Sequence, residues 1–366
     1  MIHVLHVVSV MDIGGMESFI MNVYRQLDRS EIQFDFLVHH KRRGAFEDEI
    51  ERLGGTVHHT SVLDDGNLLR YRRQLRKLFQ EHPEYRIVHG HLGSMALWYL
   101  KAAAEQGVPW RILHSHCPGH IHSLKGDIKH VLFQFSPRYA NVRLACSETA
   151  GRYQFHKQDF EVIPNGIAVD NFLYREEVRN SLRAQYGLEG HLVLGHVGRF
   201  YYEKNHAFLL KIFQAVQRER PDAVLLLIGD GLLREETEKL AESMNLKDSV
   251  RFLGLQKNTA PFYQAMDAFL LPSLYEALPL VGIEAQCAGL PCFFSEGVSC
   301  ETALGSNCWF FSIGDGMEKD WAKAILDSGS REIDRTVISE SLRAFDVRVV
   351  AESLRQRYIK MSKGKP

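Results

Sequence analysis

The sequence predicts an α/β protein built from two doubly wound parallel sheets. Short, almost entirely apolar segments alternate with amphipathic helical segments. This alternation pauses at a turn motif, Pro164-Asn165-Gly166, and then starts again. Strands that are apolar throughout are typical of parallel sheets, because helices cover both faces of such sheets. A chain of 366 residues is long enough for two domains of this kind.

The first half of the chain holds seven predicted strands with helical segments between them. The helix predicted over 17–27 shows the helical pattern clearly, since Phe19, Val23 and Leu27 recur at the spacing of one helix face. The predicted strands are residues 2–10, 33–38, 56–59, 86–89, 110–115, 142–146 and 160–163. The first predicted domain therefore covers residues 1–164.

The second predicted domain, residues 167–346, repeats the pattern. Its strands are predicted in the segments LVLGHVGRF, AVLLLIGDG, SVRFLGL, DAFLLP, PCFFSE and CWFFSI, and its helices over 206–219, 232–244, 259–266 and 279–288. Residues 338–361 predict terminal helices, and the last helix, about 347–366, is expected to pack back on the first domain. The two domains are expected to face each other across a cleft, at the carboxyl ends of both sheets, where ligands bind in open α/β proteins.

Composition excludes several classes of function. The 44 Lys and Arg residues against 45 Asp and Glu leave a net charge of −1, so the chain has no global attraction for nucleic acid. No apolar run approaches the ~18 residues of a membrane span, and the N-terminus shows no signal peptide. Six cysteines without a CxxC motif suit a reducing compartment. We therefore expect a cytoplasmic protein.

Two adjacent glycines, Gly14 and Gly15, follow the first predicted strand and precede the first helix. Glycines let a backbone approach a ligand closely, and the start of a helix suits an anion, so this loop is expected to contact an anion or a sugar. The alternative is a tight turn that needs positive φ angles. A dinucleotide fingerprint is absent from this loop, and the loop at Gly229-Asp230-Gly231 lacks the third glycine, which disfavours NAD.

Two cations, Arg199 and Lys204, follow the first strand of the second domain. An arginine fork and a lysine point charge on a loop at a strand end can together neutralise a diphosphate. The alternative is that both are solvated surface cations.

Two carboxylates, Glu276 and Glu284, are eight residues apart, the first on a loop and the second on a helix whose first turn would contain Pro279. At a rise of 1.5 Å per residue they lie roughly 12 Å apart, beyond the ~5–9.5 Å of a glycosidase pair. The spacing favours two contacts on one elongated ligand, with the helix N-terminus at Leu278–Leu280 against its phosphate. For Glu276, an N-terminal capping role is the alternative.

Histidines are concentrated in the first half, which holds 15 of the 18. His114, His116, His120 and His122 crowd one segment, and an H-x-H pattern on a strand points both rings to one face. Apart from Cys117, no acidic or thiol ligand recurs at metal spacing, and the chain has no D-x-D motif. The sequence therefore favours a general base or a structural histidine at this place, and no metal ligands.

Taken together, the motifs resemble those of retaining glycosyltransferases of family 4, which have the GT-B fold of two Rossmann-like domains. The matching segments are GGME, HSH, PNGI, GRFYYEKN, GDG and EALPLVGIE, the last fitting the family's E-x7-E pattern. The resemblance covers nearly the whole chain, and the sequence of its longest matching segments is most similar to the exopolysaccharide-operon branch of the family.

This resemblance implies transfer of a sugar from a nucleotide donor, usually UDP-linked, to a glycan or lipid-linked glycan in bacterial exopolysaccharide or capsule synthesis. The anomeric configuration would be retained, and no metal or other cofactor would be required. Arg199 and Lys204 would bind the donor diphosphate and stabilise the leaving group. Glu284 would bind the ribose hydroxyls, and Glu276 would contact the donor sugar.

The resemblance also implies roles for residues of both domains. Gly15 would approach the donor phosphate or the acceptor, and the uracil would lie near Gly254. His116 would lie beside the reacting sugar, with His114 as the alternative if the strand register differs by two.

One residue departs from the family pattern, since Ala277 stands where glycine is common. If that position needs a positive φ, alanine is strained there. This departure is the one support for an alternative function, a catalytically weak sugar-nucleotide-binding subunit of a polysaccharide assembly complex. A GT-B epimerase is the other alternative. The basic segment 70–77 predicts an ordinary solvated helix face or, alternatively, attraction to anionic lipid headgroups. Peripheral contact with the membrane or with other polysaccharide-assembly proteins is also expected.

Overall fold

The computed structural model describes residues 1–116, 132–329 and 333–364 of the chain. These residues form two compact units. The first unit comprises Met1–Ile167 and Phe345–Pro366, and the second unit comprises Ala168–Ala344. Each unit is an α/β structure around one parallel sheet.

The sheet of the first unit has seven strands in the order β3-β2-β1-β4-β5-β6-β7, and all its pairings are parallel. The strands are β1 (Ile2–Val8), β2 (Ile32–Val38), β3 (Val57–His59), β4 (Ile87–Gly90), β5 (Trp110–Ser115), β6 (Val142–Ala145) and β7 (Glu161–Val162). The strand order reverses between β1 and β4, and such a switch point opens a crevice at the carboxyl ends of the two strands.

The sheet of the second unit has six parallel strands in the order β10-β9-β8-β11-β12-β13. They are β8 (Val193–Val197), β9 (Val224–Ile228), β10 (Val250–Gly254), β11 (Ala268–Leu271), β12 (Cys292–Ser295) and β13 (Cys308–Phe311). The switch point here lies between β8 and β11. The predicted fold class, two doubly wound Rossmann-like domains, is confirmed.

The helices connect the strands on both faces of each sheet. In the first unit they are Gly15–Gln26, Glu47–Arg52, Val62–Asp65, Leu68–Glu81, Ala96–Glu105, Glu148–Phe155 and Val347–Lys363. In the second unit they are Val169–Phe172, Glu176–Tyr186, His206–Glu219, Arg234–Ser243, Ala260–Ala265, Leu280–Cys287, Glu318–Ser328 and Glu340–Arg343. The ends of the predicted elements differ from these bounds by three residues or fewer, apart from the break at 344–346 in the terminal helical segment.

Side-chain caps mark where several helices begin. Asn67 accepts a hydrogen bond from the backbone N–H of Arg70, and Asp346 accepts one from the N–H of Arg348. Such caps satisfy a backbone donor that has no partner within the helix. The Asp346 cap opens the helix Val347–Lys363, which is part of the first unit, and Trp110 Nε1 donates to the Met361 carbonyl 2.7 Å away.

No helix within the described residues is long and apolar enough to cross a membrane.

Candidate active site

Two loops of the second unit meet at its switch point, one after β8 and one after β11. The N–H of Leu274 donates to the carbonyl of Glu203 at 2.7 Å, and the Asn205 side chain donates to the carbonyl of Pro272 at 3.2 Å. Asn205 has a φ of 54°, a left-handed conformation that asparagine tolerates better than most residues. The loop that carries Arg199 and Lys204 is thus bound to the loop that carries Glu276.

Lys204 and Glu276 form an ion pair between these loops. Their side chains are only 14% and 18% exposed, so the pair is more shielded from solvent than an ordinary surface ion pair. The backbone of Glu276 is held as well, because its N–H donates to the Gly297 carbonyl at 2.9 Å and its carbonyl accepts from Ser299 N–H at 3.0 Å. The structure therefore brings two predicted site residues together and fixes the carboxylate in place.

Arg199 is exposed and does not join this pair. Its guanidinium carbon lies 4.9 Å from the ring centroid of Tyr201, a cation–π contact that orients the side chain. An exposed guanidinium is available to an incoming anion.

The Gly229-Asp230-Gly231 loop after β9 is hydrogen-bonded to the loop that carries Arg199. Gly198 N–H donates to the Ile228 carbonyl at 2.9 Å, and Phe200 N–H donates to the Asp230 carbonyl at 3.0 Å. A Cβ at Gly229, whose φ is +138°, would lie 2.0 Å from the carbonyl oxygen of Gly198. Close backbone packing explains this glycine, a supporting role that sequence reasoning did not assign to it.

Glu284 lies on the helix Leu280–Cys287, and its Oε2 accepts a hydrogen bond from the Tyr263 hydroxyl at 2.7 Å. Burial raises the pKa of the Glu284 carboxyl to about 7, and the hydrogen bond from Tyr263 acts in the opposite direction. Sequence reasoning missed Tyr263, since no local pattern connects it with a residue 21 positions away.

The predicted start of this helix, at Leu278–Leu280 with Pro279 in the first turn, needs correction. Pro279 precedes the helix as its N-cap residue and is not part of the first turn, and Leu278, also before the helix, is buried. Ala277 does not have a positive φ, and its side chain is 4% exposed. The expected strain at Ala277 is therefore absent, because the backbone there does not require glycine.

Gly254, the last residue of β10, has a φ of +67°. Its carbonyl accepts a hydrogen bond from Gly229 N–H at 2.9 Å, and a Cβ at this position would lie 3.4 Å from the Arg234 guanidinium. Gly254 therefore lies at the same strand-end edge as the loop after β9.

In the first unit, Gly14 is the N-cap of the helix Gly15–Gln26, and Gly15 is its first residue. Neither glycine has a positive φ, so the alternative of a tight turn that needs positive φ angles is wrong. A Cβ at Gly15 would meet no atom within 4 Å, whereas a Cβ at Gly14 would lie 2.4 Å from an oxygen of Glu17. The helix start at Gly15 is thus open to a ligand.

The predicted H-x-H pair belongs to a larger group, the histidine cluster, at the carboxyl edge of the first sheet. Its members are His6, His89, His91, His114 and His116. The His114 and His116 rings are 4.3 Å apart, as alternation along a strand predicts, and the His89 and His91 rings are 4.4 Å apart. Ring nitrogens of His6 and His91 lie 3.0 Å apart, those of His91 and His116 2.9 Å, and those of His89 and His114 3.1 Å.

Burial keeps the members of the histidine cluster neutral at physiological pH. It lowers the pKa of His6 and of His116 to about 3 and holds the pKa values of His89, His91 and His114 well below the usual range. Sequence reasoning missed His6, because only the order β2-β1-β4-β5 brings the first strand beside the others. The predicted neighbours Cys117, His120 and His122 lie outside the described residues.

Comparison with known proteins decides the family. Residues 13–171 match the family model "Glycosyltransferase Family 4", and residues 178–328 match "Glycosyl transferases group 1". The chain is 35% identical over 311 residues to the "Putative glycosyltransferase EpsF" of Bacillus subtilis (strain 168), with 82% of this chain and 81% of that protein covered. The chain is a family 4 glycosyltransferase. The predicted resemblance to the exopolysaccharide branch is confirmed.

A second relative of this glycosyltransferase is similar over most of its length. The "UDP-Gal:alpha-D-GlcNAc-diphosphoundecaprenol alpha-1,3-galactosyltransferase" of Escherichia coli is 25% identical over 331 residues, which are 86% of this chain and 83% of that enzyme.

Solved glycosyltransferase structures share the fold. Anabaena HepE, solved with UDP and glucose, matches with a TM-score of 0.76 at 17% identity and covers 99% of this chain and 98% of its own. Sucrose-phosphate synthase from Thermosynechococcus elongatus matches with a TM-score of 0.77 at 18% identity over 99% and 100% of the two chains. The predicted GT-B fold of this glycosyltransferase is therefore confirmed.

Proposed function

We propose that this glycosyltransferase moves a hexosyl or N-acetylhexosaminyl residue from a UDP-sugar to a lipid-linked glycan, with retention, in the assembly of a bacterial exopolysaccharide or capsule. The observation that carries the proposal is the shielded Lys204–Glu276 pair at the switch point of the second unit, with the exposed Arg199 on the same loop. A cation for a leaving diphosphate and a carboxylate for a sugar hydroxyl then stand side by side, as transfer of a glycosyl group requires.

Each donor contact is assigned by matching its chemistry to a residue. The diphosphate carries negative charge, which Arg199 and Lys204 would neutralise without a metal ion. Ribose hydroxyls donate hydrogen bonds. Tyr263 donates to one carboxylate oxygen of Glu284, and the other oxygen would accept from the ribose. Backbone N–H groups at the start of the helix Leu280–Cys287, next to Leu278 and Pro279, would face a phosphate oxygen.

The relatives support a UDP-sugar and a lipid-linked acceptor. The name of the E. coli relative specifies UDP-galactose as donor and a diphosphoundecaprenol-linked sugar as acceptor. HepE was solved with UDP and with UDP-glucose. The first unit would contribute Gly14, Gly15 and His116 to the reaction. The family resemblance assigns to His116 a contact with the reacting sugar, and His114 is the alternative for this role.

The test is release of UDP from a panel of UDP-sugars, with and without a diphosphoundecaprenol-linked acceptor, followed by NMR of the product's anomeric configuration. Acceptor-dependent UDP release with a retained configuration supports the proposal. Binding of UDP-sugars without turnover on any acceptor would favour the binding-subunit alternative. The backbone of Ala277 gives that alternative no support, since alanine is unstrained there.

We also propose that the enzyme works at the inner face of the membrane, where a lipid-linked acceptor would be found. The helix Leu68–Glu81 buries Leu75, Leu78 and Phe79, while Arg73 and Arg76 are exposed and Leu69 is 75% exposed. Such a basic face is attracted to anionic headgroups. Sedimentation with phosphatidylglycerol vesicles, but not with phosphatidylcholine vesicles, and its loss in the variant R73E/R76E would support this contact.

A further inference from the structure

The histidine cluster places metal-ligating atoms together where the proposed transfer reaction uses at most one of them. Two sets of three histidines each present ring nitrogens that all lie within 4.8 Å of one another. The inner triad is His6, His89 and His91, and the outer triad is His91, His114 and His116. We propose that the outer triad binds one divalent transition-metal ion of the zinc class.

The distances within the outer triad suit such an ion. Zinc lies ~2.0–2.1 Å from imidazole nitrogen, so two histidine ligands in a tetrahedral site have nitrogens roughly 3.3 Å apart. The nitrogens of His91 and His116 are 2.9 Å apart, and opening this pair by a few tenths of an ångström admits the ion. Ring rotation brings in the third nitrogen, since the atoms of the triad are already within 4.8 Å.

The chemical state of the rings favours binding. Imidazole nitrogen is the commonest metal-binding atom in proteins, and a neutral ring offers an ion one nitrogen lone pair. His114 Nε2 is buried and has no hydrogen-bond partner among the described residues, as is also true of His6 Nε2. A buried polar atom without a partner costs free energy, which a bound ion would recover at His114.

Access decides between the two triads. His6 and His89 are 2% and 0% exposed, whereas His116 follows the end of β5 and is partly exposed. An ion would therefore reach the outer triad first. His91 faces His6 with Nε2 and His116 with Nδ1. A neutral imidazole has only one nitrogen lone pair free of a proton, so His91 can ligate an ion in one triad at a time, and one ion per chain is expected.

The donor set also defines the class of ion. Three imidazoles and no carboxylate suit Zn²⁺, Ni²⁺ or Cu²⁺ and disfavour Mg²⁺ and Ca²⁺, which take oxygen ligands. Three protein ligands leave a fourth position for water or another small ligand. Phe19 packs its ring 5.8 Å from that of His114 and 5.9 Å from that of His116, which shields one side of the triad.

The test is a titration of the tag-free, chelator-treated full chain with Co²⁺, followed by visible absorption, and then displacement of Co²⁺ by Zn²⁺. We expect one Co²⁺ per chain with tetrahedral absorption bands. The variants His116→Gln and His91→Gln should bind at least 100-fold more weakly. A matched control, His82→Gln, removes a histidine outside the cluster and should bind as the unmodified protein does.

Two outcomes would overturn the proposal. One is no Co²⁺ uptake below millimolar concentration. The other is equal uptake by His116→Gln, and loss of uptake in His6→Gln would then assign the ion to the inner triad. Because His91 is buried, circular dichroism must show that the variant His91→Gln folds. If it does not fold, the variant His116→Gln, at a partly exposed position, provides the test.

Discussion

Lys204 and Glu276, 72 residues apart in the chain, neutralise each other across two loops of the second unit. One carries the charge proposed for the donor diphosphate, and the other carries the carboxylate proposed for the donor sugar. A diphosphate that reaches Lys204 must therefore share this cation with Glu276. The pair sets the position of both groups before a donor binds, and this preorganisation is what electrostatic catalysis requires.

Replacing Lys204 by alanine is expected to reduce turnover far more than it reduces stability. Loss of one positioned group that stabilises charge in the transition state typically lowers kcat by ~10²–10³. The unfolding free energy should fall by only about 1–2 kcal/mol, because the pair is more shielded than a surface ion pair but is not fully buried. UDP release and chemical denaturation of the same preparations measure both effects. An unchanged kcat would show that Lys204 is not part of the reaction.

Glu276→Gln separates the two halves of this pair. The change frees Lys204 from its partner, so UDP alone should bind as tightly as before or more tightly, while UDP-sugar turnover should fall. The matched control is Lys239→Ala, which breaks an ion pair with Glu235 that is 72% and 79% exposed. If both variants lower turnover equally, the effect is not specific to the candidate site.

In protein freed beforehand of any ion on the outer triad, which includes His116, added Mg²⁺ or Mn²⁺ is expected to leave UDP release unchanged. The reason is that Arg199 and Lys204 are proposed to supply the positive charge that a metal ion supplies to the leaving group in other transferases. The assay compares chelated enzyme with and without added Mg²⁺ or Mn²⁺. A rate that falls on chelation and returns only with one of these ions would contradict metal independence.

Gly15→Ala tests whether a ligand approaches the start of the first helix. An added Cβ at Gly15 meets no protein atom within 4 Å, so the variant should be at least as stable as the original chain. If the sugar donor or the acceptor comes close to the backbone of Gly15, the added methyl group should raise KM or lower kcat by ten-fold or more. Gly305→Ala is the control, since its Cβ would make only an ordinary contact, 3.7 Å from Gln286. Full activity of Gly15→Ala would exclude close approach of a ligand.

The secondary structure was predictable because each strand and helix is specified by local periodicity. Contiguous apolar residues identified strands such as Val224–Ile228, and the 3.6-residue pattern identified the helix His206–Glu219 with its observed bounds. The loops that carry Arg199, Lys204 and Glu276 were predictable for the same reason, since they follow strands.

The pairings within the site were not predictable from local sequence. The contacts Tyr263–Glu284 and Lys204–Glu276 join elements whose adjacency depends on the order of strands in the sheet. His6 was missed for the same reason. Whether Ala277 needs a positive φ could not be decided from sequence, because the identity of a residue in relatives does not reveal the φ angle at that position; the structure shows that it does not.

Ala277→Gly restores the residue that is common in the family, and we expect no gain in activity. The methyl group of Ala277 is buried, and the backbone there does not need a positive φ, so alanine neither strains the loop nor meets a ligand. Glycine adds freedom to the unfolded chain and should lower the unfolding free energy by about 0.5–1 kcal/mol. Donor KM and kcat should stay within about three-fold. A ten-fold rise in kcat would show that Ala277 limits catalysis.

Glu284 links stability to pH in a direction that its raised pKa determines. Its carboxyl titrates near 7 in the folded chain and at an ordinary, lower pKa in the unfolded chain. The folded state therefore binds a proton that the unfolded state has already released, and the stabilisation from that proton is lost as pH rises towards 7. Glu284→Gln should remove this contribution to the pH profile of the unfolding free energy.

The same pKa predicts how nucleoside binding depends on pH. Ribose hydroxyls bind best to an ionised carboxylate, and about one tenth of Glu284 is ionised one pH unit below its pKa of about 7. Uridine, which has no group that titrates between pH 6 and 8, should therefore bind roughly ten-fold more weakly at pH 6 than at pH 8. Calorimetry across this range measures the effect. Tyr263→Phe removes the hydrogen bond that lowers the pKa of Glu284, so the midpoint should move to higher pH, whereas Glu284→Gln should give a flat profile. A pH-dependent profile that persists in Glu284→Gln would assign the ribose contact to another residue.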